Sequence, residues 1–545
     1  MLINNYKFFI TFGSTKFDIM KVSYLTLIKR YIPILLIGIA ISFASCEKTA
    51  PPPPEEEEQP GEEDEPGDQS AKNQKVNEWV TEQMRVYYYW NDEMPTDNNL
   101  DFGLTPPKFF ETILNEDDRF SWIQKADELN EGMQGVSTST GMNIMLFAYE
   151  NDTKVFAVVK YIIPGSPADQ VDLERGDIFT RVDGTEMTVG NYGDVLEPYS
   201  SGESFNITLA TLEGNVLTTT DKIVTLTSAK VDEPSVHYHS IITSTNGKKV
   251  GYIFYNRFLN NKVDEVFDVF AEFKSAGISD LILDLRYNLG GGIAVSGALS
   301  ALIMDDYNKE NVFVKYNYND RLNQEFDRAG QSRDERFYDL YPALSKNLPD
   351  NPSEDELIAA AEAIETKIKA ANLNLPRVFV LATDNSASAS ELVIHNLAPY
   401  VNVIHIGGTT VGKNEGSITI EDERKPRQID WAIQPIIVKL ADKDGDGDYV
   451  NGLIPDEEID EYEYLPLSPI GSKEDPLILT ALRIIDPTEA TASLAKQMSI
   501  LRNQTRQADF GLVEAFKKRS IKPVPVLLDR YQVNPAIIDQ LKVHR

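Results

Sequence analysis

The stretch DLILDLRYNLGGGIAVSGALSALIM (280–304) decides the fold class. DLILDLR (Asp280–Arg286) is a run of strand length with Leu281, Ile282 and Leu283 apolar in succession, the pattern of a buried strand. NLGGG (Asn288–Gly292) then forms a loop, and AVSGALSALIM reads as an apolar helix. Upstream, KVGYIFYNRF is a second strand. VDEVFDVFAEFKSAG follows it, with Val263, Phe267, Phe270 and Phe273 at helical spacing and Gly277 as a stop. Downstream come the strand RVFVLAT, the helix ELVIHNLAPY and the strand VNVIHIGG. Strand–helix–strand repeats across 231–486 predict a largely parallel sheet covered on both faces, interrupted by an insertion at 305–376 with an Ala-rich helix (355–371).

Working outward, 74–135 reads as a helical domain. Val76, Trp79, Val80, Met84 and Tyr87 form one stripe, and PPKFFETIL starts a second helix with proline in its first turn. From 136 to 230 strands alternate with Asn-Asp, Pro-Gly and Asp-Gly turns. IIPGSPADQVDLERGDIFTRVDGTEM (162–187) resembles a PDZ domain, a β-rich module that takes a peptide C-terminus as an added strand. The resemblance places the carboxylate-binding loop at Gly141, Met142, Asn143 and Ile144, with Asn143 where the second loop glycine is usual. Residues 487–545 read as a C-terminal helical extension.

A chain of 545 residues is too long for one core, and 42% apolar content describes a folded protein. The net charge of −33 argues against nucleic acid or an anionic lipid surface as a partner for a basic face. The single cysteine, Cys46, rules out an internal disulfide. Lys29 and Arg30 precede the short apolar run YIPILLIGIAISFAS, which ends in small residues just before Cys46. Residues 1–46 therefore read as a signal peptide, with Met20 as an alternative start. FASC (43–46) resembles the bacterial lipobox, which makes Cys46 the lipidation site of a Bacteroidetes-type lipoprotein. The tract at 47–73, rich in proline and glutamate, reads as a disordered acidic tether. Anchor, spacer and folded body together predict a cell-envelope protein lipid-anchored to a bacterial membrane, on its periplasmic face or the cell surface.

In open α/β sheets, sites form beyond the carboxyl ends of strands. NLGGG follows one such end, and TDNSASASEL (383–392) follows another before entering a helix. Backbone N–H groups of both loops face one space, where a serine could attack a carbonyl and the N–H groups hold the oxyanion. Ser386, Ser388 and Ser390 serve equally well as caps and turn residues on this pattern alone. His395 lies two helical turns beyond Ser388, about 10 Å along the axis, too far to act as its base.

DLRYNLGGG, TDNSASASEL and GGTTVGKNEG (407–416) together resemble, in order and spacing, the carboxyl-terminal processing peptidases of family S41. That resemblance implies a crotonase-like α/β peptidase domain and a serine endopeptidase acting through an acyl-enzyme. It maps the nucleophile onto Ser388 and the general base onto Lys413, twenty-five residues later. The oxyanion donors map onto Gly290 and Ala389, with Gly291 as a neighbour. Ser417 stands where many members carry a lysine-orienting glutamine, and Glu391 matches a family glutamate read here as helix-start support. A lysine base must be neutral, which burial among apolar groups favours. The implied substrates are proteins or peptides with accessible C-termini, with no cofactor. The alternative is a weak or inactive PDZ adaptor on a peptidase fold. Asp442, Asp444 and Asp446 imitate half of a calcium loop, but Leu453 occupies its twelfth position and an acidic turn is the simpler reading. GLIPDEE resembles the Gly-x-x-Pro-Asp element of the same family.

Overall fold

The computed structural model describes residues 66–489, apart from 215 and 350, and short pieces at 499–503, 505–506 and 510–513. The signal peptide, Cys46, residues 47–65 and most of the chain beyond 489 lie outside the described residues. Among the described residues no helix is long and apolar enough to cross a membrane.

The stretch that opens the sequence reading forms the middle of a six-stranded sheet. In spatial order its strands are Val236–Thr243, Lys249–Tyr255, Asp280–Asp284, Arg377–Ala382, Asn402–Gly407 and Glu457–Glu458. Only the first pair is antiparallel; the other pairings are parallel. Alternation along the strands divides their side chains between two cores. Ile253, Leu281, Leu283 and Val380 pack under helices Val263–Ala276, Ile293–Ile303, Glu354–Ala371 and Ala389–Leu397. Tyr252, Ile282, Phe379 and Leu381 pack under helix Pro476–Ile485 on the opposite face. Burial on both faces is why the central strands carry consecutive apolar residues, Leu281–Leu283 and Val378–Ala382 among them. Gly277 ends its helix at φ 67°, a left-handed cap that suits glycine.

The insertion is more than an appendage. Val312–Tyr318 lies inside a four-stranded antiparallel sheet, between Asp334–Arg336 and Ile436–Ala441, with Glu415–Ser417 at the far edge. This second sheet carries the segment that follows Lys413.

The first helix runs Pro66–Tyr87, so it begins inside the stretch read as tether. Val80, Met84 and Tyr88 are fully buried, and they pack with Phe109 and Phe110 of helix Pro106–Thr112. Strand Trp122–Lys125 then pairs with Trp431–Gln434, joining this helical region to the α/β domain.

Residues 142–227 form an antiparallel sheet of Met142–Tyr149, Lys154–Ile162, Ile178–Val182, Ser204–Glu213 and Val216–Thr227, with Thr185–Glu186 beside Ile178–Val182. The short helices Tyr192–Val195 and Glu197–Ser201 close its core. Arg175 fastens this region to the α/β domain: its guanidinium meets Glu461 at 2.7 Å, and Glu461 also meets Arg286 at 2.9 Å. Arg286 is fully buried against Asp284 and Asp475, both at 2.7 Å. The cluster sits immediately before Asn288–Gly292 and holds the start of that loop.

The chain beyond Ile485 is not helical throughout its described pieces. Gly511–Leu512 is a strand on the outer edge of Met142–Tyr149.

Candidate active site

The serine loop and the glycine loop leave neighbouring parallel strands and are locked to each other through Asn288. Its carbonyl accepts from Ala387 N–H at 3.1 Å and from the Ser390 hydroxyl at 2.8 Å. Its side-chain amide donates to the Tyr255 carbonyl at 2.8 Å. The three serines are not equivalent. Ser386 donates to the Leu285 carbonyl at 2.7 Å and accepts from Thr383 N–H at 2.9 Å, which makes it a turn residue. Ser390 is spent on Asn288. Ser388 is fully buried, and its hydroxyl has no partner among the described residues.

Ser388 stands immediately before helix Ala389–Leu397 at φ 66° and ψ −116°, a conformation that costs about 1–3 kcal/mol for a residue with a side chain. Glu391 holds it there. This fully buried carboxylate accepts from Ser388 N–H at 2.7 Å and Lys413 N–H at 2.9 Å, both on Oε2. Its Oε1 accepts from Gly412 N–H at 2.6 Å and the Thr410 hydroxyl at 2.5 Å. Burial pushes the Glu391 carboxyl above its ordinary range, and the four donors pull it back toward the ionised form. The role read from the sequence, support of the helix start, is half of what Glu391 does. It also clamps the serine turn to the lysine turn.

Lys413 is fully buried, and burial brings its pKa from 10.5 down to about 8, against the opposing fields of Glu415, Asp118 and Glu391. Its Nζ lies 5.1 Å from the centre of the Phe120 ring and has no hydrogen-bond partner among the described residues. Arg119 donates to the Gly412 carbonyl at 2.6 Å, so the segment before Trp122 covers the lysine turn. Nothing in the local pattern of DDRFSW singles out these residues; their role comes from a contact almost 300 positions away in the chain. On the other side, Thr410 N–H donates to the Leu453 carbonyl at 3.2 Å, which seats GLIPDEE against the lysine turn.

Gly290 has φ 108°, and a Cβ there would lie 2.7 Å from Ser388 Cβ and 2.9 Å from its Oγ. Only glycine lets the loop approach the serine so closely. In this conformation Gly290 N–H donates to Asn288 Oδ1 at 2.8 Å. Gly291 abuts the Phe258 carbonyl, with which Gly292 N–H bonds at 2.8 Å. Ala389 is the first residue of its helix, where N–H groups have no partner within the helix. Ser417 is buried in strand Glu415–Ser417, opposite Ile436. Met142, Asn143 and Ile144 begin strand Met142–Tyr149, with Gly141 in the turn before it, and they contribute nothing to this cluster.

His395 donates to the Asp446 carbonyl at 3.0 Å, pinning the acidic loop rather than serving the serine. In that loop Asp442 Oδ1 accepts from the N–H groups of Asp444 and Asp446, both at 2.9 Å. That is the bonding of a turn, and no group of acidic or histidine side chains able to hold a metal occurs among the described residues.

Comparison with known proteins finds similarity to one family of peptidases. Residues 249–459 match the model of peptidase family S41, and residues 75–122 match the peptidase S41 N-terminal domain. A Staphylococcus aureus protein named "Probable CtpA-like serine protease" is 23% identical over 347 residues, 64% of this chain. Carboxyl-terminal-processing peptidase 2 of Arabidopsis thaliana is 25% identical over 187 residues, 34% of this chain. The matches span 58% and 36% of those two proteins' lengths. A crystal structure of a Bacteroides fragilis protein assigned to the S41 proteases superposes with a TM-score of 0.60 at 26% identity, covering 76% of this chain and 98% of its own. Two stretches of this chain, 75–122 and 249–459, thus match in order the N-terminal and peptidase domains of family S41, and a solved relative superposes across them.

Proposed function

We propose that this chain is a serine endopeptidase in which Ser388 is the nucleophile and Lys413 the general base. The observation that carries this reading is the Glu391 clamp, which ties the backbone of a strained, buried serine to that of a buried lysine of lowered pKa. Neutral Lys413 takes the Ser388 hydroxyl proton as Oγ bonds to the scissile carbonyl carbon. The oxyanion forms between the N–H groups of Gly290 and Ala389. Collapse of the tetrahedral intermediate breaks the C–N bond, and the Lys413 ammonium returns its proton to the leaving amine. Water then hydrolyses the acyl-enzyme with Lys413 again as base. Two adjustments precede the first step. Lys413 Nζ turns from Phe120 toward Ser388, and Gly290 N–H leaves Asn288 Oδ1. Ser417 is assigned to orienting Lys413. Residues 136–230 are read as the PDZ-like module that takes the C-terminal end of a protein substrate, and Cys46 as the lipid anchor to the envelope membrane.

A catalytically weak adaptor is the second reading, favoured by the bond that now occupies Gly290 N–H. Cleavage of an unstructured protein with an apolar C-terminus, by wild type, Ser388→Ala and Lys413→Ala, separates the two. Hydrolysis by wild type and loss of at least about a thousandfold in both variants is expected. Activity surviving both substitutions sinks the dyad, and peptide binding without any cleavage establishes the adaptor.

A further inference from the structure

The outer edge of strand Met142–Tyr149 is covered by the chain's own residues 510–513. Gly511 pairs opposite Ala148 and Leu512 opposite Phe147 in antiparallel register, and Val513 N–H donates to the Leu146 carbonyl at 3.1 Å. The added strand runs toward residues 139–141, the turn from which Met142–Tyr149 starts. Its side chains alternate between the two faces of the sheet. Phe510 and Leu512 pack on the core containing Phe147 and Phe156, and the Phe510 ring centre lies 4.9 Å from that of Phe156. Val513 packs into the other core, with Ile144, Leu146 and Tyr199. Tyr199 belongs to the short helix beside this groove and donates to the Met142 carbonyl at 3.0 Å.

The segment is strapped in place from upstream. Arg502 meets Glu463 at 2.5 Å, Arg506 meets it at 2.9 Å, and Leu465 N–H donates to the Thr505 hydroxyl at 3.1 Å. Glu463 lies two residues from Glu461, the carboxylate that joins Arg175 to Arg286.

We propose that residues 510–513 are a resident occupant of the edge of Met142–Tyr149, which an incoming extended peptide must displace. The proposal rests on the reading of residues 136–230 as a peptide-binding module. An exposed strand edge offers a row of unpaired N–H and C=O groups to any extended chain. Here the chain pairs with part of that row itself, with an aromatic and two aliphatic side chains packed against the cores on either face. A tethered segment competes at a high effective concentration without any partner in solution. If it covers the edge nine-tenths of the time, the apparent Kd of a competing peptide is about tenfold weaker than for the open edge.

The test uses the full chain carrying Ser388→Ala, so that the probe is not cut. The probe is a fluorescein-labelled heptapeptide QADFGLV, copying 507–513, with a free carboxylate, followed by anisotropy. Val513→Asp combined with Phe510→Ala should bind it about tenfold tighter than the parent, and Val513→Pro, which removes only the donor to Leu146, should act in the same direction. Backbone amides of 146–148 should exchange faster with deuterium in both variants. Equal affinity in parent and variants, no binding by any of them, or unchanged exchange overturns the proposal. Failure of the peptidase reading is separately visible, because it is scored by Ser388-dependent hydrolysis, which this binding assay does not use.

Discussion

Lys413 should make the folded protein less stable at neutral pH, and replacing it should reveal by how much. The side chain is fully buried, its Nζ has no hydrogen-bond partner among the described residues, and its pKa falls from 10.5 to about 8. An unfolded lysine titrates near 10.4, so between about pH 8 and pH 10.4 the unfolded chain holds more protons than the folded one. Stability therefore rises with pH through that window. Below about pH 8 both states are protonated, and the full penalty of burying the charge is present. A shift of about 2.5 units at 1.36 kcal/mol each amounts to about 3 kcal/mol. Methionine has similar length and no charge. Lys413→Met is expected to be about 3 kcal/mol more stable than wild type at pH 6 and 7, with the gap closing toward zero near pH 10.5. Urea unfolding followed by tryptophan fluorescence at pH 6, 7, 9 and 10 measures it, with Trp122 and Trp431 as reporters at the junction between the helical region and the α/β domain. The same titration should appear in wild-type catalysis as a kcat/KM that falls about tenfold per pH unit below pH 7. A stability gap independent of pH, or a less stable Lys413→Met, refutes the reasoning.

The Glu391 clamp predicts a loss confined to the chemical step. In Glu391→Gln one amide oxygen replaces two carboxylate oxygens, so two of the four donors face an NH2 group, at a cost of about 2–5 kcal/mol. Steady-state kinetics should show kcat falling at least tenfold with KM little changed, and thermal unfolding should shift downward. Gly290→Ala adds a Cβ 2.7 Å from Ser388 Cβ at φ 108°. It is expected to cost about 1–3 kcal/mol and at least about a hundredfold in kcat, while in the Ser388→Ala background it leaves the affinity for the QADFGLV probe unchanged, which anisotropy checks.

Much of the α/β domain was legible in the chain because its cause is local. Strands buried on both faces carry consecutive apolar residues, and helices lying on a sheet are apolar at a period of 3.6. Asp280–Asp284, Arg377–Ala382 and the helices after them announce themselves for that reason. The serine and lysine turns were singled out by the resemblance of three short motifs to family S41. The sequence did not separate Ser386, Ser388 and Ser390 by chemistry; the tertiary structure does, because Leu285 and Asn288 engage two of them and the third hydroxyl has no partner among the described residues. Only the fold decided that Glu391 bonds Thr410, Gly412 and Lys413, that Phe120 and Arg119 cover the lysine turn, and that residues 510–513 lie on the edge of Met142–Tyr149. Each joins residues far apart along the chain, and such a contact leaves no period in the sequence. Local pattern determined which segments of the central sheet and its covering helices become strands and helices. Packing between distant segments determined which polar groups are buried, which are paired and which are left to react.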